Sequence, residues 1–401
     1  MAAAGPAEIR LPGRDTPLVV PAPGWAAGYP PPRERRVFAA AHVAASPDGA
    51  IDWDATTGFR EHLWAHGFGV AEAMDTSQRG MGLSWEQARE LIARTAAASS
   101  GVSGGSGGSG GSEVSGVAGA GASRALACGA GTDQLMAGSS YSLGEIIDAY
   151  TEQVAFVQSS GAQVILMASR ALAARDRGPG DYLEVYGELL KQADRPVILH
   201  WLGEAFDPAL RGYWGSPDFD AAAGTVIELI ERAGGQVDGI KLSVLDAGRE
   251  VALRRRLPAG VRLYTGDDFN YASLIRGDAD GSYSDALLGA FAAIAAPAAA
   301  ALAALDRGDV AGYDAAMEPT VPLSRLIFEP PTYHYKVGVA FLAWLNGLQP
   351  HFAMLGGLQR QRSPGHLIRV FELAAAAGAL TQPELAVERM GEMLVSSVES
   401  N

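Results

Sequence analysis

The chain has little lysine. Of 31 basic residues only Lys191, Lys241 and Lys336 are lysines, and the rest are arginine. Arginine holds its proton under all ordinary conditions and cannot act as an amine nucleophile. Amine chemistry is therefore confined to three positions. There is a single cysteine, Cys128, which excludes an internal disulfide framework and fits a reducing compartment. Positive charge is also short: the net charge is -14. That balance argues against nucleic acid or an anionic membrane as the main partner, since both attract basic surfaces. No cationic start followed by an apolar stretch marks a signal peptide. The nearest approach to a membrane span, residues 287 to 305, is mostly alanine and contains Pro297, so it reads as a buried helix. A cytoplasmic protein is expected, with neither nucleic acid nor membrane as partner.

What is present is enough for a large core. The 401 residues are 48% hydrophobic and 19% charged. Residues 1–35 read as an irregular leader, with three consecutive prolines at 30 to 32. Short apolar runs then alternate with helical patterns. The runs are 36–43, 68–73, 124–128, 162–167, 196–201, 237–242, 261–265 and a weak last one at 281–284. Ser84 and Ser142 are expected to cap helices, the first with Gln87 as a capping box. A Gly/Ser-rich stretch at 99–123 reads as a disordered insertion. Apolar strands alternating with helices mean a parallel sheet buried on both faces. Eight such units over 36–305 predict an α/β fold, a (β/α)8 TIM barrel. The rival doubly wound sheet lacks a G-x-G-x-x-G opening its first helix. Residues 306–401 carry only helical patterns, a C-terminal helical extension whose apolar faces suggest a homo-oligomer.

In such a barrel the site lies at the C-terminal ends of the strands. Those ends offer His42, Glu72, Asp75, Thr76, Ser77, Thr132, Asp133, Ser169, Arg170, His200, Trp201, Lys241, Ser243, Asp267, Asp268, Ser282 and Tyr283. Among them Lys241 ends the run Val237-Asp-Gly-Ile-Lys-Leu-Ser243. A lysine buried there would lose its proton easily and form a Schiff base with a carbonyl substrate. Lys336, in Tyr333-His-Tyr-Lys336, reads better as a helix-surface charge. His62 and His66 read as outer-ring surface residues, and Arg360 and Arg362 as a solvated turn. Asp268 reads equally well as a cap of the seventh helix.

Three segments together carry a resemblance. Pro196-Val-Ile-Leu-His200, Val237-Asp-Gly-Ile-Lys241 and Leu263-Tyr-Thr-Gly-Asp-Asp268 are similar to the fifth, sixth and seventh strands of the dihydrodipicolinate synthase and N-acetylneuraminate lyase superfamily. Met74-Asp-Thr-Ser-Gln-Arg79 stands where that superfamily has its Gly-Thr-Thr-Gly-Glu motif, and Cys128-Gly-Ala-Gly-Thr132 resembles its third-strand turn. The resemblance implies a divergent branch with Lys241 as the Schiff-base lysine and no cofactor or metal. Thr76 and Ser77 would hold a keto-acid carboxylate, with Arg170 positioning the same anionic end and Asp75 a further substrate-binding candidate. Asp267, Asp268 and Ser243 would meet the rest of a small keto acid or sugar-derived substrate. His200 occupies the place of the superfamily's acid/base tyrosine and would move the proton. Cleavage, condensation and dehydration all fit this chemistry. Two alternatives stand beside it. One is a divalent-metal-dependent sugar isomerase or aldolase using Glu72, Asp75, His200, Asp267 and His42. The other is a ligand-binding barrel without catalysis, whose mark would be a lost lysine.

Overall fold

The computed structural model describes residues 5–75, 78–101, 124–175 and 177–399. Thr76, Ser77 and most of the Gly/Ser-rich insertion lie outside those residues. Eight parallel strands close into a barrel: β1 (Val37–Ala40), β2 (Gly69–Glu72), β3 (Leu126–Ala130), β4 (Gln163–Leu166), β5 (Val197–Leu202), β6 (Val237–Ser243), β7 (Arg262–Thr265) and β8 (Asp285–Leu288). They pair in sequence order, and β8 closes on β1. The expected (β/α)8 fold and the C-terminal helices are both present.

Local chemistry accounts for the helices between strands. The helix α1 (Trp53–Ala65) starts on Asp52, whose carboxylate accepts from Ala55 N. Ser84 caps α2 (Trp85–Ser99) in a full capping box with Gln87. Ser142 does the same for α3 (Leu143–Ser159) with Glu145. Each such cap contributes about 1 kcal/mol.

Strand alternation divides the core in two. Phe38, Ala40, Ala71, Ile165, Ile198, Tyr264 and Leu287 fill the barrel interior. Their neighbours Val37, Val70, Val164, Leu199, Ile240 and Leu288 face the helices. This period of two decides which polar residues can reach the barrel mouth.

Two segments differ from the reading of the sequence. The eighth strand is not 281–284 but Asp285–Leu288, within the alanine-rich run that reads as helix. Residues 281–284 instead form a turn, where Asp278 N donates to Ser282 O and Ser284 N to Leu274 O. The following helix starts only at Ala295. Within the leader, Ala7–Ile9 and Leu18–Val20 pair as a small antiparallel hairpin. It lies against the end of the chain: Arg14 pairs with Glu372 at 2.8 Å, and Trp25 Nε1 donates to Gly378 O at 2.7 Å.

The C-terminal helices cover the barrel. One of them, Lys336–Leu345, is buried at every residue. The apolar faces of the extension that pointed to an oligomer are, for this helix, consumed within the chain. Among the described residues, no helix is long and apolar enough to cross a membrane.

Candidate active site

β5 and β6 run side by side with His200 opposite Lys241 and Leu202 opposite Ser243. Alternation turns Lys241 and Ser243 inward while Ile240 and Leu242 face the helices. Two glycines make this approach possible. A Cβ on Gly239 would lie 2.6 Å from Arg262 O of β7. A Cβ on Gly266 would lie 2.1 Å from Ser243 Oγ and 2.9 Å from Lys241 Cε. Gly239 thus lets β6 and β7 pack closely, and Gly266 clears space around the lysine.

Lys241, His200, Ser243, Asp75 and Asp268 line one small cavity at the C-terminal mouth of the barrel. Met74, Leu202, Phe206, Gly289 and Tyr335 complete its wall. Burial pushes the Lys241 ammonium down to about 8, opposed by Asp268 and Asp75 and assisted by Lys336. Burial likewise raises the Asp268 carboxyl well above the usual carboxylate range. Among the described residues no hydrogen bond or ion pair engages Lys241 Nζ. Asp268 Oδ1 accepts from Ala290 N at 2.9 Å, so this carboxylate is held by the chain after β8.

His200 is buried and stays neutral, because burial and then Lys241 lower its pKa well below the ordinary value. Its Nε2 lies 3.4 Å from Ser243 Oγ, and its Nδ1 has no hydrogen-bond partner among the described residues. A histidine so placed is a poor source of protons at neutral pH.

Asp75 is reached by a strained turn. Ala73, just after β2, has φ 49°. Strain of this kind in a non-glycine residue costs on the order of 1–3 kcal/mol. Arg79 holds the turn, donating to Ala73 O at 2.7 Å. Asp75 then meets the C-terminal extension. Lys336 Nζ pairs with Asp75 Oδ2 at 2.8 Å, and the Tyr335 hydroxyl donates to the same oxygen.

Lys336 is the largest departure from the sequence reading. It is not a surface charge: it is 1% exposed, against 7% for Lys241. Besides Asp75 it donates to Ala40 O at 2.9 Å and Ala41 O at 3.3 Å, at the end of β1. Three donors meet three acceptors, so the ammonium is fully bonded.

Other candidates lie elsewhere. Asp267 closes its own loop: it accepts from Phe269 N, Asn270 N and Asn270 Nδ2 at 2.8–3.0 Å, and does not line the cavity. Arg170 pairs with Asp207 at 2.6 Å outside the cavity wall, its side chain 42% exposed. Trp201 faces outward and stacks on Phe219. Ser282 and Tyr283 precede β8 and so sit at the opposite end of the barrel, with Arg35 lying 3.5 Å over the Tyr283 ring. Thr132 and Ser169 bond each other at 2.6 Å, and Asp133 pairs with the buried Arg79. His66 is buried, with Nδ1 2.8 Å from His62 O. Arg362 is not a solvated turn residue: it donates to Glu329 O at 2.6 Å and Pro331 O at 3.1 Å.

The residues of the metal reading are not assembled. Alternation turns Glu72 outward, where Arg60 binds it through two 2.8 Å bonds and Thr95 Oγ1 donates at 2.7 Å. His42 Nε2 is 2.8 Å from Gln349 Oε1. Among the described residues, no three His, Cys, Asp or Glu side chains gather as a ligand set.

Solved structures share this fold. A dihydrodipicolinate synthase from Thermotoga maritima superposes with a TM-score of 0.63 at 13% identity, over 87% of this chain and 100% of its own. A putative dihydrodipicolinate synthetase from Pseudomonas aeruginosa gives 0.62 at 14%, over 86% and 99%. The chloride-inhibited dihydrodipicolinate synthase from Acinetobacter baumannii, complexed with pyruvate, gives 0.59 at 15%, over 86% and 100%. At these identities the likeness is one of fold, and it bears out the superfamily resemblance at that level. No curated protein matches the chain. Residues 14–398 match the model of a family described as "Protein of unknown function (DUF993)", and the chain belongs to that family.

Proposed function

We propose that this protein is a Schiff-base-forming lyase or aldolase acting on a small 2-keto acid or sugar-derived keto compound. One observation carries the reading. Lys241 is a buried amine whose proton burial has loosened, and it faces a cavity rather than a fixed partner. Such an amine is nucleophilic at near-neutral pH. Asp268 supports the same reading: a carboxylate beside the ammonium, itself made more basic by burial, accepts the proton that Lys241 must lose. The amine then adds to the carbonyl carbon. Loss of water leaves an iminium, an electron sink for cleavage, condensation or dehydration.

The other residues take supporting parts. Ser243 and His200 line the wall beside the amine, His200 as a neutral imidazole that hydrogen-bonds rather than protonates. Thr76 and Ser77 follow Asp75 directly and are the groups that the resemblance assigns to the substrate carboxylate. Arg170 and Asp267 do not line the cavity and are assigned no part in binding. Pyruvate, the shortest 2-keto acid, is the first substrate to try. A homo-oligomer remains part of this proposal and is read directly by light scattering in solution.

The test is borohydride trapping. The protein is incubated with pyruvate and a panel of sugar-derived keto acids, reduced, and mapped by peptide mass. With three lysines in the chain the assignment is unambiguous. The expected result is an adduct on Lys241 that is absent in Lys241→Ala. No adduct with any carbonyl compound would overturn the reading.

A further inference from the structure

The wall of the cavity includes one hydroxyl that the barrel does not supply. Tyr335 belongs to the C-terminal extension, just before the helix Lys336–Leu345, and lines the same cavity as Lys241. Its ring is clamped. It stacks on Phe328 with centroids 4.2 Å apart and meets Phe206 edge-on at 6.4 Å. A Cβ on Gly289, after β8, would lie 2.9 Å from Tyr335 Cε2 and 3.0 Å from Phe328 Cζ. The glycine makes room for this pair of rings. The hydroxyl donates to Asp75, which Lys336 fixes in turn.

The charged and titratable groups around the phenol come from five parts of the fold. Asp75 follows β2, His200 is on β5, Lys241 on β6, Asp268 follows β7, and Lys336 is its own neighbour in sequence. Each has a duty that leaves proton delivery to the substrate oxygen unfilled. His200 is neutral, Lys336 is fully bonded, Asp75 is held by Lys336, and Asp268 serves the amine.

We propose that Tyr335 is a catalytic residue, the hydroxyl that carries protons to and from the substrate oxygen, with Asp75 and Lys336 as its positioning residues. This rests on the Schiff-base reading of Lys241. As Nζ adds to the carbonyl carbon, the N–C bond forms and the carbonyl π pair moves to oxygen. The phenol turns from Asp75 and gives its proton to that oxygen. The nitrogen, now positive, returns a proton to the phenolate. A second transfer from the phenol to the new hydroxyl releases water while the nitrogen lone pair closes the C=N bond. The products are a protonated iminium, one water and a phenolate, which balances charge and atoms without another reactant. The phenolate is then the base for the next proton removal.

The experiment follows the rate of Lys241 labelling by pyruvate and borohydride against pH, in the full chain, for the unmodified protein and Tyr335→Phe. Positioned acid/base groups contribute about 10²–10⁴-fold. A fall of that size is expected in Tyr335→Phe, with thermal stability kept because the ring still stacks on Phe328. Replacement of Tyr335 by 3-fluorotyrosine, whose phenol is more acidic, is expected to move the descending alkaline limb to lower pH. That shift would not follow from a merely structural role, and it serves equally if Tyr335→Phe fails to fold. Labelling of Tyr335→Phe within threefold of the unmodified protein, or an alkaline limb unmoved by fluorination, overturns the proposal. If the unmodified protein forms no adduct at all, the Schiff-base reading beneath it falls instead.

Discussion

Two lysines stand at the same barrel mouth, and the protein treats them in opposite ways. Lys241 comes from the sixth strand and looks into a cavity. Lys336 comes from the first turn of a C-terminal helix and spends all three of its protons on Asp75, Ala40 and Ala41. Both are buried, so burial alone does not make a nucleophile. The difference is what meets the nitrogen. An ammonium with three acceptors in place is tied into the structure. An ammonium stripped of water and lacking such acceptors gives up its proton easily. The fixed cation also acts on the other: Lys336 is among the groups that lower Lys241. One lysine is thus a counter-charge for the chain and the other a reagent.

The largest test of this contrast is to remove the reagent. Lys241→Ala should abolish trapping while leaving the fold intact, as judged by circular dichroism. An adduct that moves to the peptide containing Lys336 would break the comparison. Next comes removal of the cation. Lys336→Met leaves Asp75 buried without its ion-pair partner, and breaking such a pair costs about 3–5 kcal/mol. Urea denaturation should show that loss, whereas Asp75→Asn with Lys336→Met should recover part of it in a double-mutant cycle. Additive losses would mean that the pair is not coupled.

A third test uses pH. Lys241 loses its proton as pH rises, and its pKa is lowered to about 8. The labelling rate should therefore climb through that region, ahead of the descending limb assigned to the Tyr335 phenol. In Lys336→Met the rise should move to higher pH, since a neighbouring positive charge has gone. A rise only near the ordinary lysine value would remove the distinction between the two amines. The smallest effect is expected at the rim. Arg170→Ala breaks an exposed pair with Asp207, worth at most about 1 kcal/mol. Its labelling rate should stay within about threefold. A larger loss, read in the same assay, would bring Arg170 back as a substrate contact.

The contrast also explains what could be read from the chain. The strands were legible because β5 and β6 are near-continuous apolar runs, and Lys241 was legible because it interrupts one. The eighth strand was not, because Asp285-Ala-Leu-Leu288 runs into an alanine-rich stretch with the composition of a helix, and only its place between β7 and β1 makes it a strand. Glu72 and Lys241 both occupy strand ends, yet alternation sends one to Arg60 and the other to the cavity. Asp267 and Asp268 are adjacent, and only the first closes on its own loop. Tyr335 and Lys336 were out of reach for a different reason. Their partners Asp75, Ala40 and Ala41 lie about 260 to 296 residues earlier in the chain. A helical pattern beginning with a lysine carries no sign of such distant acceptors. The one local hint was scarcity: in a chain that otherwise uses arginine, each lysine has a reason.

The link between Lys336 and the first two strands also sets an order of events. Chains are made from the N-terminus, and their parts fold as they emerge. The barrel strands all precede the helix Lys336–Leu345, so the reactive amine is made before its counter-charge and the cavity's tyrosine. Asp75 gains its bonds to Lys336 and Tyr335 only when that helix is in place. The C-terminal helices therefore act as a latch, and the site is complete only with the latch closed.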